Sequence, residues 1–107
     1  MVSIPEHGGK VCDHLHRAVE LIGRRWTGAI LASLLAGATR FSEIRDSIPG
    51  ISDRLVAERL KELEEQGIVE RQVTPSRPPQ VAYQLTPKGQ ALQPVLDSIT
   101  NWAHDWE

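Results

Sequence analysis

The sequence predicts a mainly α-helical domain with one small β-hairpin, an α+β arrangement, and three observations predict it. Apolar residues recur at helical spacing in successive stretches before Gly67. Beyond Gly67 the texture changes to two short extended runs separated by a turn containing Pro75, Pro78 and Pro79. An apolar stripe at helical spacing then runs to the end of the chain. The order is four helices, strand, turn, strand, helix, with a tight turn between helices three and four. That order describes a winged helix-turn-helix of five helices and a two-stranded wing.

Each element has a local reason. Leu15, Ala18, Val19, Leu21 and Ile22 mark a first helix over about residues 13–25, with Gly23 near its end. Ile30, Leu31, Leu34 and Leu35 give a second, over about residues 27–36, which Gly37 stops in a left-handed conformation. Thr39, Arg40 and Phe41 read as a very short extended piece, and Ser42 as the N-cap of a third helix over about residues 43–47. Pro49-Gly50 makes a turn. Ser52 is the next N-cap, with Asp53 in the favourable first turn, and Val56, Leu60 and Leu63 form the seam of a fourth helix reaching about Gln66. Residues 68–73 and 81–85 read as the two strands. Thr86-Pro87 opens the last helix as cap and first helical residue. That helix runs to about Asp105 and is kinked near Gln90 by Pro94. Residues 1–11 read as a flexible arm, and residues 12–107 as one domain.

Composition narrows the class. The chain has 107 residues, 40% hydrophobic and 24% charged, which is ordinary globular usage. Pro5, Glu6 and two glycines near the start do not resemble a secretory signal, and the longest apolar stretch, residues 29–36, is broken by Ser33. A single cysteine excludes an internal disulfide. The expectation is a cytoplasmic protein without a membrane segment and without a cofactor. The net charge of −2 argues at first against nucleic acid. Its distribution answers that: residues 24–88 hold ten basic and eight acidic side chains, whereas residues 89–107 hold three acids and no Lys or Arg. A face can be basic when the total is not.

In a helix-turn-helix the second helix enters the major groove and its early residues meet the bases. On a helical wheel Arg54, Ala57, Glu58 and Lys61 fall opposite the apolar seam, so Ser52, Asp53, Arg54, Ala57, Glu58 and Lys61 are the candidates. Arg54 suits a two-pronged contact to guanine, and Lys61 a phosphate. The plain alternative is a solvated amphipathic face, because Glu58, Glu62, Glu64 and Glu65 would repel DNA; the acids cluster late in the helix, so its first turns can still approach the groove. At the wing tip, Arg77 sits in a proline-stiffened loop suited to a minor groove, with Arg71 on the adjoining strand; an ordinary hairpin is the alternative. Arg40, Ser42 and Arg45 mark the third helix, which crosses the backbone in this architecture. Its arginines are placed to clamp phosphates, or simply to solvate the surface.

The last helix carries Leu92, Val95, Leu96, Ile99, Trp102 and Trp106, more apolar surface than a chain end normally exposes. Together with Leu15 and Val19 they are candidates for contact with a second copy, or for packing on their own domain. Trp26 reads as core. Cys12 lies at a helix start, which favours a reactive thiolate; a small, partly buried residue is the alternative. His7, Cys12, His14 and His16 are near one another but match no zinc spacing, so no metal is expected. No Ser-His-Asp set, phosphate-binding glycine loop or paired acids point to catalysis. The function classes left are a DNA-binding regulator and a winged-helix protein-interaction module without specific DNA binding. The second draws on the acidic total.

Four segments, HRAVELIGRRW, TRFSEIRDSIPGISDRLVAERLKELEEQGIVERQV, PPQVAYQLTPKGQAL and PVLDSITNW, stand in order from residue 16 to residue 102. Together they resemble the HxlR-type winged-helix regulators of bacteria. The resemblance implies a homodimer joined through the first and last helices, binding double-stranded, inverted-repeat operator DNA, most often as a repressor. It also implies a response to oxidants, electrophiles or other small-molecule effectors through a cysteine just before the first helix, the place of Cys12. Proline commonly follows that cysteine in the family; here Asp13 does, and its carboxylate works against a thiolate. With one cysteine, any disulfide must join two subunits or cap with a small thiol.

Overall fold

Six helices and one hairpin follow each other in a computed structural model that describes residues 12–107. The proposed arm, residues 1–11, and with it His7, lies outside the described residues. The elements are α1 (Asp13–Ile22), α2 (Thr27–Leu35), α3 (Phe41–Asp46), α4 (Asp53–Glu65), β1 (Val69–Thr74), β2 (Gln80–Leu85), α5 (Pro87–Gln90) and α6 (Gln93–Trp106). This is the expected winged helix-turn-helix.

The core gathers around α2. Ile30 and Leu31 are fully buried, and Ile44 and Ile48 from the α3 region, Val56, Leu60 and Leu63 of α4, and Ile68 and Val69 at the base of the wing close on them. Each large apolar side chain removed from water here contributes about 1.5–3 kcal/mol. The hydroxyls of Ser33 and Ser47 are hydrogen-bonded at 2.9 Å, and Ser47 Oγ donates to the Ile44 carbonyl at 2.7 Å, which pins the end of α3 to α2. Gly50, at φ 90°, makes the turn into α4.

The wing is a two-stranded antiparallel ribbon, with Val69 opposite Leu85 and Thr74 opposite Gln80. Only Val69 of β1 is buried. The ribbon is attached along β2: Tyr83 N donates to Thr39 O at 2.8 Å at mid-strand, and next to the loop the Arg40 guanidinium reaches Val81 O (3.4 Å) and Gln80 Oε1 (3.0 Å).

Two expectations need correction. Ser42 is not the N-cap of α3. The cap is Arg40, in extended backbone, and Ser42 lies inside the first turn. Glu43 explains the shift, because its Oε1 accepts from Arg40 N (2.8 Å) and Thr39 N (3.2 Å) and so ties down the chain two residues earlier. Arginine has no acceptor to return the favour, so this capping box is one-sided. The final helix is also not one kinked rod. The chain turns at Ala91-Leu92, and Pro94 stands in the first turn of a separate helix, α6, where its missing N–H costs nothing. Five expected helices become six.

Candidate nucleic-acid interface

The α4 helix starts where the sequence says it should. Ser52 Oγ accepts from Leu55 N at 3.1 Å, and Asp53 occupies the first turn. Because Val56, Leu60 and Leu63 are buried, the opposite side of the helix is turned to solvent, and Arg54, Ala57, Glu58 and Lys61 are all exposed on it. The Arg54 guanidinium lies 3.5 Å from Glu58 Oε1, one turn on. Lys61 makes no ion pair among the described residues. The outer face therefore offers the cations Arg54 and Lys61 and the carboxylate of Glu58 to solvent.

Helix α3 places Arg45 against this start. Its Nε lies 3.0 Å from Asp46 Oδ1 and its NH1 3.4 Å from Asp53 Oδ1. The hydrogen bond that it donates to Asp46 is the main reason its pKa is raised further, so the guanidinium is charged at every working pH. Arg45 thus joins the end of α3 to the start of α4 across the turn. Arg40 is occupied with the loop end of β2, and Ser42 is exposed. At the far end of the ribbon, residues 75–79 form the loop, where Ser76 Oγ donates to Pro78 O at 2.6 Å and Arg77 is exposed. Arg71 is exposed on β1, opposite Tyr83. The arrangement brings an outward helix face and a cation-tipped ribbon to the same domain, and it spends Arg40 and Arg45 in part on holding the parts together.

One charged residue escaped the sequence reading. Arg59 has a side chain only 9% exposed; its Nε donates to Arg25 O at 3.0 Å, and its NH1 lies 3.2 Å from Glu62 Oε2. The signal was present in the wheel, because a residue three positions after Val56 points only about 60° away from it.

The remaining candidates divide. Leu92 and Leu96 pack against the core of their own domain. Leu15 (40%), Val19 (53%), Val95 (42%), Ile99 (50%), Trp102 (66%) and Trp106 (78%) stay exposed, an apolar surface on α1 and α6. Trp26 packs on the core periphery in a left-handed conformation. Cys12 is half-buried at the N-cap of α1, and its carbonyl accepts from His16 N at 3.0 Å. His16 lies 3.6 Å from Glu20 and His14 bonds to Arg17, both exposed. Among the described residues, no three His, Cys, Asp or Glu side chains come together as a metal site, and no helix is long and apolar enough to cross a membrane.

Comparison with known proteins agrees with this geometry. Residues 21–107 match the family model of the HxlR-like helix-turn-helix. The HTH-type transcriptional regulator YvaP of Bacillus subtilis is 44% identical over 97 residues, spanning 91% of this chain and 90% of its own length. YodB, an HTH-type transcriptional regulator of the same organism, is 49% identical over 96 residues, spanning 90% of this chain and 86% of its own. The solved structure of the reduced form of YodB superposes with a TM-score of 0.81 at 47% identity, covering 91% of this chain and 95% of that one. Its diamide-treated and quinone-bound forms match at TM-scores of 0.77 and 0.78, with 48% and 46% identity, each covering 90% of this chain and 95% and 100% of theirs. With its family model, relatives and fold in agreement, the chain belongs to the HxlR-like helix-turn-helix family of transcriptional regulators, which are not enzymes.

Proposed function

We propose that this chain binds an inverted-repeat operator as a homodimer and acts as a repressor in the cytoplasm. The observation that carries the reading is the exposed face of α4, where Arg54, Ala57, Glu58 and Lys61 stand opposite the buried Val56, Leu60 and Leu63. Two such helices enter successive major grooves about 34 Å apart. Arg54 reads guanine; Glu58 accepts from the amino group of a neighbouring cytosine; Lys61 neutralises phosphate. Arg77 of each wing enters a flanking minor groove, and Ser52, Asp53 and Arg45 set the start of the reading helix. The exposed apolar side of α1 and α6, from Leu15 and Val19 to Trp102 and Trp106, receives the second copy.

Cys12 is the position for an electrophile response, supported by the similarity to YodB, which has been solved with quinone bound. The thiolate adds to a quinone, a carbon–sulfur bond forms, and the displaced ring electrons take up a proton as the quinone becomes a hydroquinone thioether. Diamide instead removes two electrons and two protons from a pair of thiols, one from each subunit, and leaves as the hydrazine.

Selection of bound duplexes from a random pool, followed by a gel shift titrated with salt, tests the DNA reading. A palindromic site whose affinity falls steeply as salt rises is the expected result. A pool that yields no enriched site returns the chain to the class of protein-interaction modules.

A further inference from the structure

The α1–α2 turn, residues 23–26, touches the helix-turn-helix at two separate places. At the first, Arg59 of α4 donates through Nε to the Arg25 carbonyl (3.0 Å), and NH1 spans both Glu62 oxygens at 3.2 and 3.3 Å. Arg24 of the same turn closes the cluster, its Nε 3.4 Å from Glu62 Oε1. At the second, Trp26 takes φ 79°, a backbone region that bulky residues seldom adopt, and carries its ring towards the turn between α3 and α4. A Cβ placed on Gly50 would lie 3.8 Å from the tip of that ring. The Arg25 guanidinium covers the ring at 4.8 Å from its centroid.

Stability does not explain a charge at this position. Replacing a buried ion pair by apolar side chains of similar volume is often neutral or favourable, and Arg59 stands beside a seam of Val56, Leu60 and Leu63 that would accept one. What the guanidinium supplies, and a hydrocarbon would not, is direction. Its planar fork fixes α4 both to a main-chain carbonyl of the preceding turn and to its own next turn. We propose that Arg59 is a positioning residue for DNA recognition: it sets the angle at which α4 leaves the domain, and hence where Arg54 and Glu58 meet the bases. The inference rests on the DNA-binding reading above. Phosphate attraction tolerates a small rotation of α4; base contacts do not.

The test compares affinity for the selected operator with affinity for a scrambled duplex of equal length at one salt concentration. In Arg59→Met the thermal midpoint stays within about 4 °C of the parent. Operator affinity falls at least about tenfold, while scrambled-duplex affinity changes less than about twofold. Arg59→Lys, whose single ammonium can still hold the Arg25 carbonyl, restores part of the operator preference. An Arg59→Met protein with the parental preference, or one whose two affinities fall together, overturns the proposal. If Arg59→Met does not fold, Glu62→Gln decides. A selective loss of operator affinity supports the positioning role, and an unchanged preference overturns it. A parent protein that selects no operator at all overturns the DNA-binding reading itself, and this inference with it.

Discussion

Arg54 and Glu58 stand one turn apart on the outer face of α4, with 3.5 Å between guanidinium and carboxylate. The Arg54 side chain is 79% exposed, and an ion pair so wet contributes about 0–1 kcal/mol. Little therefore holds Arg54 back from a base edge. Arg54→Ala is expected to leave the thermal midpoint unchanged and to weaken operator binding by about 1–3 kcal/mol, with relaxed preference at one base pair. A gel shift against the selected operator and its single-base variants measures both, and parental affinity would remove Arg54 from base readout.

The wing makes a different contribution. Arg77→Ala should weaken binding most for operators with A·T-rich flanks, and should lower the slope of log affinity against log salt by about one. Equal losses on A·T and G·C flanks would move Arg77 from groove reading to simple charge neutralisation.

Trp102 and Trp106 are the most exposed large apolar side chains among the described residues. A buried tryptophan removes about 150–250 Å² from water, so the pair is a large part of any interface on α6. Changing both to Ala is expected to give monomers in sedimentation equilibrium at concentrations where the parent is dimeric. A double variant that still sediments as a dimer places the interface elsewhere.

Gly89 and Gly28 make opposed predictions. A Cβ on the buried Gly89 would collide with the Ile68 carbonyl and lie 2.9 Å from a Leu85 methyl, whereas at Gly28, inside α2, nothing stands within 4 Å. Gly89→Ala should destabilise by about 1–3 kcal/mol, and Gly28→Ala should stabilise by up to about 1 kcal/mol. Urea unfolding of the two variants tests the packing at the root of the wing and along α2.

Glu43 gives the chain an acid-side signature. Hydrogen bonds from the main-chain N–H groups of Arg40 and then Thr39 hold its carboxyl below the ordinary glutamate range. A group depressed in the folded state contributes stability above its unfolded-state pKa and loses it as pH falls through the folded one. The difference in thermal midpoint between the parent and Glu43→Gln should therefore be full at neutral pH and vanish below the usual carboxylate range. A difference that is the same at both ends of the titration would deny the cap its charge dependence.

The fold was legible where one strong local signal had no rival. Val56, Leu60, Leu63 and the Ser52 cap marked α4 and its outer face without help from the rest of the chain. Where two signals competed, reading failed. Ser42 and Glu43 both offer oxygens to a helix start, and the longer carboxylate won by reaching back to Arg40. The break at Ala91-Leu92 was hidden because apolar spacing continues through it, with Leu92 and Leu96 turned inward and Val95 and Ile99 outward. Arg59 was missed because a charge is expected to face water, and only its partners, Arg25 and Glu62, account for its burial. Likewise the engagement of Arg40 with Gln80 spans forty residues, a distance over which local pattern is silent.

The ribbon that bears Arg77 has almost no interior of its own, for β1 is buried only at Val69. Its aim is therefore decided along β2, by the Thr39–Tyr83 bond at mid-strand and by Arg40 laid across Gln80 and Val81 next to the loop. In deuterated solvent the amides near Val69 and Leu85 should outlast those near Thr74 and Gln80, and loosening Arg40 should free the loop end of the ribbon, Arg77 with it. The position of the wing loop is thus governed by two residues, Thr39 and Arg40, that stand at the entrance to α3, outside the ribbon itself.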